Sequence, residues 1–146
     1  MCGSGTTIDV WNEEKRQVFG FDLVSRRSDI KEADARKIPL PDNFAHLVFI
    51  DSPYSDNIKY SDHPDCIGKI SCEDPRFFQE LEKVAIEAKL ILKPNGVLVA
   101  PLAPPKRKYS LLLAFDFIYL KPAWKIWICE LVNYGNRCWL WAVEVV

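Results

Sequence analysis

The chain alternates short apolar runs with stretches of helical or turn character, and this alternation limits the available folds more than any other feature. VFGFDLV (18–24) is a short apolar run containing an acid, Asp22. HLVFIDSPY (46–54) has the unbroken apolar character of a strand buried on both faces. GVLVAPLAP (96–104) reads as another strand, and IKEADA (30–35) as a short one. Between these runs lie helical signals. A helix-like stretch follows the GSGTT turn (3–7) and ends near Gln17. Asp74-Pro75 supplies a capping side chain and a first-turn proline. Phe77, Phe78, Leu81, Val84, Ala85, Ala88 and Leu92 then form one apolar face, and Lys93-Pro94-Asn95-Gly96 stops the helix. Residues 109–119 read as a second buried helix, and NYGN (133–136) between KIWICELV and RCWLWAVEVV as a β-hairpin turn. Strands alternating with helices before a closing hairpin predict an α/β parallel sheet with an antiparallel edge.

Composition narrows the class. At 146 residues the chain is one domain's worth, and 19 basic against 20 acidic residues exclude a binder held by bulk positive charge. Hydrophobic residues make up 49% and charged ones 27%, a globular balance. No apolar run approaches the roughly 20 residues of a membrane span, and no secretory signal is visible, so a cytoplasmic location is expected. The 5 cysteines form no dense framework and read as reduced thiols. His63, Cys66 and Cys72 are spaced only loosely like metal ligands, without a CxxC pair, and no metal site is expected.

Parallel sheets bind ligands where strand carboxyl ends meet the loops. Gly3–Thr7, Asp22 and Asp51–Tyr54 all fall at such ends. Gly3-Ser4-Gly5 lets the backbone approach a ligand closely, although a plain turn has the same residues. Asp22, about twenty residues past a glycine turn, has the position of an acceptor for ribose hydroxyls; a strand-end cap is the alternative. Asp51-Ser52-Pro53-Tyr54 places a carboxylate, a stiffened turn and an aromatic ring together. The carboxylate and a neighbouring carbonyl suit an amino group, and the ring suits a planar base. A strand-to-loop turn with a half-buried tyrosine is the alternative.

GSGTT, then GFD, then ADARKIPLPDNFAHLVFIDSPY, then LKPNGVLVA together resemble the class I S-adenosylmethionine-dependent methyltransferases. More narrowly, they resemble the DNA methyltransferases that modify an exocyclic amino group of adenine or cytosine. The resemblance covers residues 1 to about 102. It implies a Rossmann-like sheet with helices on both faces and a C-terminal antiparallel hairpin, forming a single catalytic domain. It implies S-adenosyl-L-methionine as cofactor, with Gly3, Ser4, Gly5 and Thr6 cradling the methionine part and Asp22 holding the ribose. Asp34 and Ala35 would lie against the adenine ring, Asp34 accepting its amino group. Asp51 and the Ser52 carbonyl would grip the target amine, Pro53 would complete the turn, and Tyr54 would stack on a base flipped from the DNA duplex. The polar stretch SDNIKYSDHPDCIGKI (55–70) then lies beside the target, with Lys59, Tyr60 and Lys69 as nucleic-acid contacts or, equally, parts of a solvated loop; Lys106, Arg107 and Lys108 suit phosphates, although a short charge run is more often a solvated face.

Three departures from the family pattern stand out. The chain starts inside the glycine motif, so the family's first strand is expected to be missing, leaving a gap beside the Asp22 strand. Ser52 replaces a proline and keeps the carbonyl while losing stiffness, which predicts weakened catalysis. No target-recognition domain is expected, so sequence choice would come from loops, a specificity subunit or a missing N-terminal segment. The competing readings are an RNA or protein-amide N-methyltransferase, and a non-catalytic relative acting as a binding subunit.

Overall fold

A computed structural model describes residues 1–53, 56, 58–102, 124–133 and 136–145, the last two stretches by their backbone. The predicted helix at 109–119, the basic cluster at 106–108, Tyr54, and the two central residues of NYGN lie outside the described residues. The chain divides into two compact units, Met1–Pro39 with Pro53–Glu87, and Leu40–Ser52 with Ala88–Val146.

The first unit contains helix α1 (Thr6–Glu13), strands β1 (Gly20–Asp22) and β2 (Ile30–Glu32), a short 3-10 turn at Ile67–Lys69, and the start of helix α2 (Pro75–Ile91). β1 and β2 pair in parallel, Gly20 opposite Ile30. Gly20 lets α1 lie close to the strand. A Cβ there would stand 2.2 Å from the Ile8 side chain, and Ile8 is buried. The Phe21 amide donates to Cys2 Sγ at 3.1 Å, and its carbonyl accepts from Met1 N at 2.7 Å. Both of its backbone groups are thereby satisfied without a strand neighbour.

α1 stops at Glu13, short of the predicted end near Gln17. Lys15 takes a left-handed φ of 54°. Lys15 N then donates to Asn12 O and Arg16 N to Trp11 O, each at 2.9 Å, the paired bonds of a Schellman cap. The start of α2 follows its sequence signal. The Arg76 amide donates to Asp74 Oδ1 at 2.9 Å with Pro75 in the first turn. Phe77, Val84, Ala85, Ala88 and Ile91 are its buried stripe. The polar stretch after Tyr54 contains the Ile67–Lys69 turn, where Ile67 and Gly68 are buried.

The second unit holds β3 (Ala45–Phe49), β4 (Leu92–Leu102), β5 (Trp124–Asn133) and β6 (Asn136–Val145) in the order β3-β4-β6-β5. β3 pairs with β4 in parallel; β6 lies antiparallel to both β4 and β5. Ala88, Leu92 and Leu98 form the core, with Val48 and Ile50 packed against it.

Two expectations need correction here. β3 is not buried on both faces: Val48 and Ile50 meet the core, while Leu47 and Phe49 remain 37% and 38% exposed. Side chains alternate along a strand, and this core covers one face. Lys93–Gly96 does not separate helix from strand either. α2 ends at Ile91 and β4 begins at Leu92. The four residues form an irregularity inside β4, where the partners jump from Ala45–Leu92 to Leu47–Val97. Asn95 takes a φ of 63°, and a Cβ on Gly96 would stand 2.8 Å from the Lys93 carbonyl. Among the described residues, no helix is long and apolar enough to cross a membrane.

Candidate functional site

The glycine motif folds as a tight turn in the first unit. Gly5 N donates to Cys2 O at 2.8 Å, and Gly5 O accepts from Asp9 N at 3.1 Å, opening α1. Gly3 and Gly5 have φ of 51° and 85°, left-handed values that favour glycine. Their surroundings differ. A Cβ on Gly3 would meet nothing within 4 Å, whereas one on Gly5 would stand 2.6 Å from Arg27 Nη1. One side of the turn is open and the other is supported. Ser4 Oγ and Thr6 Oγ1 share a hydrogen bond of 3.1 Å.

Asp22 joins this turn directly. Its Oδ2 accepts from Cys2 N at 2.8 Å and from Gly3 N at 2.9 Å. Its Oδ1 accepts a longer bond from Val24 N at 3.3 Å. Gly3, Ser4, Gly5, Thr6 and Asp22 therefore meet around the beginning of α1. A carboxylate that fixes the turn with one oxygen leaves the other able to accept from a hydroxyl.

Arg27 supports the same turn, and the sequence reading did not find it. Its Nη1 donates to Ser4 O at 3.2 Å and to Asp9 Oδ2 at 2.9 Å, while Nη2 pairs with Asp9 and Asp29. Hydrogen bonds from Arg27 hold both carboxyls below the usual carboxylate range. In sequence, Arg27 is one arginine in a polar stretch, and nothing marks it until the fold brings Ser4 and Asp9 to it.

Asp34 follows β2, beside Ala33, whose amide donates to Asp22 O at 2.9 Å. Asp34 Oδ1 accepts from Arg36 N and Arg36 Nε, both at 2.9 Å. Oδ2 accepts from Nε at 3.1 Å and Nη2 at 2.5 Å. These bonds lower the Asp34 carboxyl below its usual range. The predicted adenine acceptor is thus already a full partner of Arg36, a residue the sequence reading passed over. Ala35 is partly buried.

In the second unit, Asp51 and Ser52 follow Ile50, whose amide donates to Val99 O at 2.8 Å. The β3–β4 ladder thereby fixes the backbone immediately before the motif. Asp51 is exposed and Ser52 partly buried. Pro53 begins the next stretch of the first unit, and its ring lies near Gly68. A Cβ on Gly68 would stand 3.0 Å from Pro53 Cβ and 2.5 Å from the Tyr60 ring. Tyr60 is therefore partly buried against a glycine. Lys59 pairs with exposed Asp62 at 2.8 Å, and Lys69 Nζ donates weakly to Asp62 O at 3.4 Å. Among the described residues, no three His, Cys, Asp or Glu side chains gather as metal ligands.

No family profile matches the sequence, and no curated protein matches it. Solved structures do match the fold. A SAM dependent methyltransferase from Aquifex aeolicus superposes with a TM-score of 0.56 at 15% identity, over 99% of this chain and 79% of that one. One from Archaeoglobus fulgidus gives 0.61 at 14% identity, over 98% and 82%. A provisionally named rRNA-methylase from Clostridium thermocellum gives 0.60 at 15% identity, over 100% and 86%. The chain has an α/β, methyltransferase-like fold.

Proposed function

We propose that the protein transfers a methyl group from S-adenosyl-L-methionine to the exocyclic amino nitrogen of adenine or cytosine in DNA. The observation that carries this reading is the tie of Asp22 to the Cys2 and Gly3 amides, at 2.8 and 2.9 Å, beside open space at Gly3. A glycine turn open on one face and backed by a carboxylate on the other suits a nucleoside bearing an amino-acid tail. The methyltransferase-like fold supports the same assignment.

In this reading Gly3, Ser4, Gly5 and Thr6 hold the methionine part, and Asp22 accepts from the ribose. Asp34 and Ala35 meet the adenine. Bound cofactor supplies an electrophilic methyl on sulfonium. The chain's own task is to prepare the amine, whose lone pair is delocalised into the base. The Asp51 carboxylate and the Ser52 carbonyl accept its two N–H bonds and draw nitrogen toward tetrahedral geometry, localising the lone pair. Pro53 stiffens the turn, and Tyr54 stacks on the flipped base. Lys59, Tyr60, Lys69, Lys106, Arg107 and Lys108 are assigned to nucleic acid, and β5 with β6 to the hairpin edge of the family's sheet. A specificity subunit or further N-terminal segment would supply sequence choice.

The test uses tritiated methyl donor with duplex DNA, RNA and protein as separate acceptors. Label should enter duplex DNA. Label confined to RNA supports a second reading, favoured by the likeness to the Clostridium rRNA-methylase, and label confined to protein an amide methyltransferase. Calorimetry with S-adenosylhomocysteine should give heat; none at millimolar ligand assigns the chain to a non-catalytic binding role.

A further inference from the structure

One guanidinium joins three segments of the first unit. Arg36 Nε and Nη2 hold Asp34, just past β2. Nη1 pairs with Glu80 on α2, which also holds Lys83 at 2.6 Å. Nη2 donates in addition to the Asp65 carbonyl at 3.2 Å, in the polar stretch that follows the Asp51–Tyr54 motif. The Arg36 and Glu80 side chains are only 22% and 18% exposed, so this junction is sheltered. Ile38 N donates to Glu87 Oε1 at 2.7 Å, seven residues further along α2. The segment after β2 is therefore pinned to one helix face at two points, and Arg36 carries a link onward to Asp65.

The two Asp34 oxygens already accept four bonds, which is about the full capacity of a carboxylate. An amino group arriving at Asp34 has to displace one of them. The single Nε N–H, divided between Oδ1 at 2.9 Å and Oδ2 at 3.1 Å, is the donor able to yield at Oδ2. An amino group in that place shares Oδ2 with Nη2, whose second N–H holds the Asp65 carbonyl. A lysine ammonium has three donors but no planar fork, so it cannot pair with Asp34 at two points while also reaching Glu80 and the Asp65 carbonyl.

We propose that Arg36 is a positioning residue that couples occupation of the Asp34 corner to the order of the segment carrying Asp65 and the Ile67–Lys69 turn. This rests on the methyl-donor reading, with Asp34 as the adenine acceptor. Coupling of this kind is reciprocal: a target that orders the segment tightens cofactor binding by the same factor.

The experiment is amide hydrogen exchange on the full chain, with and without saturating S-adenosylhomocysteine, read on peptides spanning residues 64–72. The Cys66, Lys69 and Ile70 amides report the turn, since they donate to His63, Cys66 and Ile67 carbonyls. In the wild-type protein, ligand should slow their exchange about 5-fold or more, the lower end of usual couplings. Arg36→Lys should abolish that response at saturating ligand while ligand still protects the Gly5 amide, which a general loss of stability would not do. If Arg36→Lys does not fold, Glu80→Gln, which takes the charge from the Arg36 anchor on α2, should reduce the response, and an undiminished response overturns the coupling. Heat of binding without any response at 64–72 overturns the coupling alone, as does a response that survives in Arg36→Lys. No heat with the wild-type protein overturns the methyl-donor reading, and the coupling with it.

Discussion

Two aspartates carry separable parts of the proposed chemistry. Asp51 is exposed at the end of the β3–β4 ladder and is assigned to the target amine. Asp51→Ala should abolish methyl transfer in the tritium assay and leave S-adenosylhomocysteine binding within about 2-fold by calorimetry, because hydrogen bonds made to the acceptor do not touch the cofactor. Asp22 differs, since its Oδ2 organises the glycine turn. Asp22→Ala leaves two amides without their charged acceptor, and each such bond is worth about 1.5–3 kcal/mol. Its calorimetric affinity should fall at least about 10-fold, the effect of one such bond. Unchanged affinity would remove Asp22 from the site. Both aspartates are visible in the sequence as acids at the ends of apolar runs. Arg27 and Arg36 are not visible, because an arginine's role depends on which distant acceptors reach it.

Among elements, the ends are where local chemistry meets tertiary constraint. α1 closes on Lys15 in a left-handed conformation that costs a side chain roughly 1–2 kcal/mol and glycine almost nothing. Lys15→Gly should therefore raise stability by about 1 kcal/mol in urea unfolding, the cap bonds being backbone ones. The 3-10 turn presents the opposite case. Gly68 has ordinary φ but no room, with the Tyr60 ring and Pro53 both close. Gly68→Ala should destabilise by about 1–3 kcal/mol as those rings are pushed aside. A neutral result would show that the stretch opens freely around the turn. Sequence signals were sufficient for the start of α2, where Asp74 and Pro75 act on adjacent residues. At Lys93–Gly96 they marked the stop, since α2 ends at Ile91, but not that β4 begins at Leu92 and takes the stop motif in as an irregularity before pairing with β3 resumes at Val97.

Among the described residues, the carboxylates whose ionisation is most favoured are paired with arginines or, at Glu80, with a lysine as well. Asp9, Asp29, Asp34 and Asp74 are all lowered below their ordinary value, chiefly by hydrogen bonds from Arg27, Arg36 and Arg76. Glu80 is lowered by Lys83 and then Arg36. A carboxyl that ionises more readily in the folded state stabilises the fold at pH above its unfolded value, near 4, and that contribution disappears as pH falls through the lowered one. The melting temperature should therefore hold from pH 8 to 5 and decline below about 4. A flat profile down to pH 3 would contradict the arrangement. Raising salt should shrink the effect at the exposed Asp9, Asp29 and Asp74 pairs more than at Asp34.

The sequence by itself determined that acids stand where two strands give way to loops, Asp22 at the end of β1 and Asp51 just past β3. An apolar run must be buried, and the acid after it must leave the core, so Asp22 and Asp51 were placed by hydrophobicity alone. It also determined the glycine turn and the α2 stripe, since both follow from neighbours a few residues apart. Only the tertiary structure decided which face of β3 is covered, that Asp34 is held by Arg36, and that Gly20 and Gly68 are sites of close approach. Those outcomes depend on groups that lie far apart in sequence and come together only on folding, and no local pattern records which of them will meet.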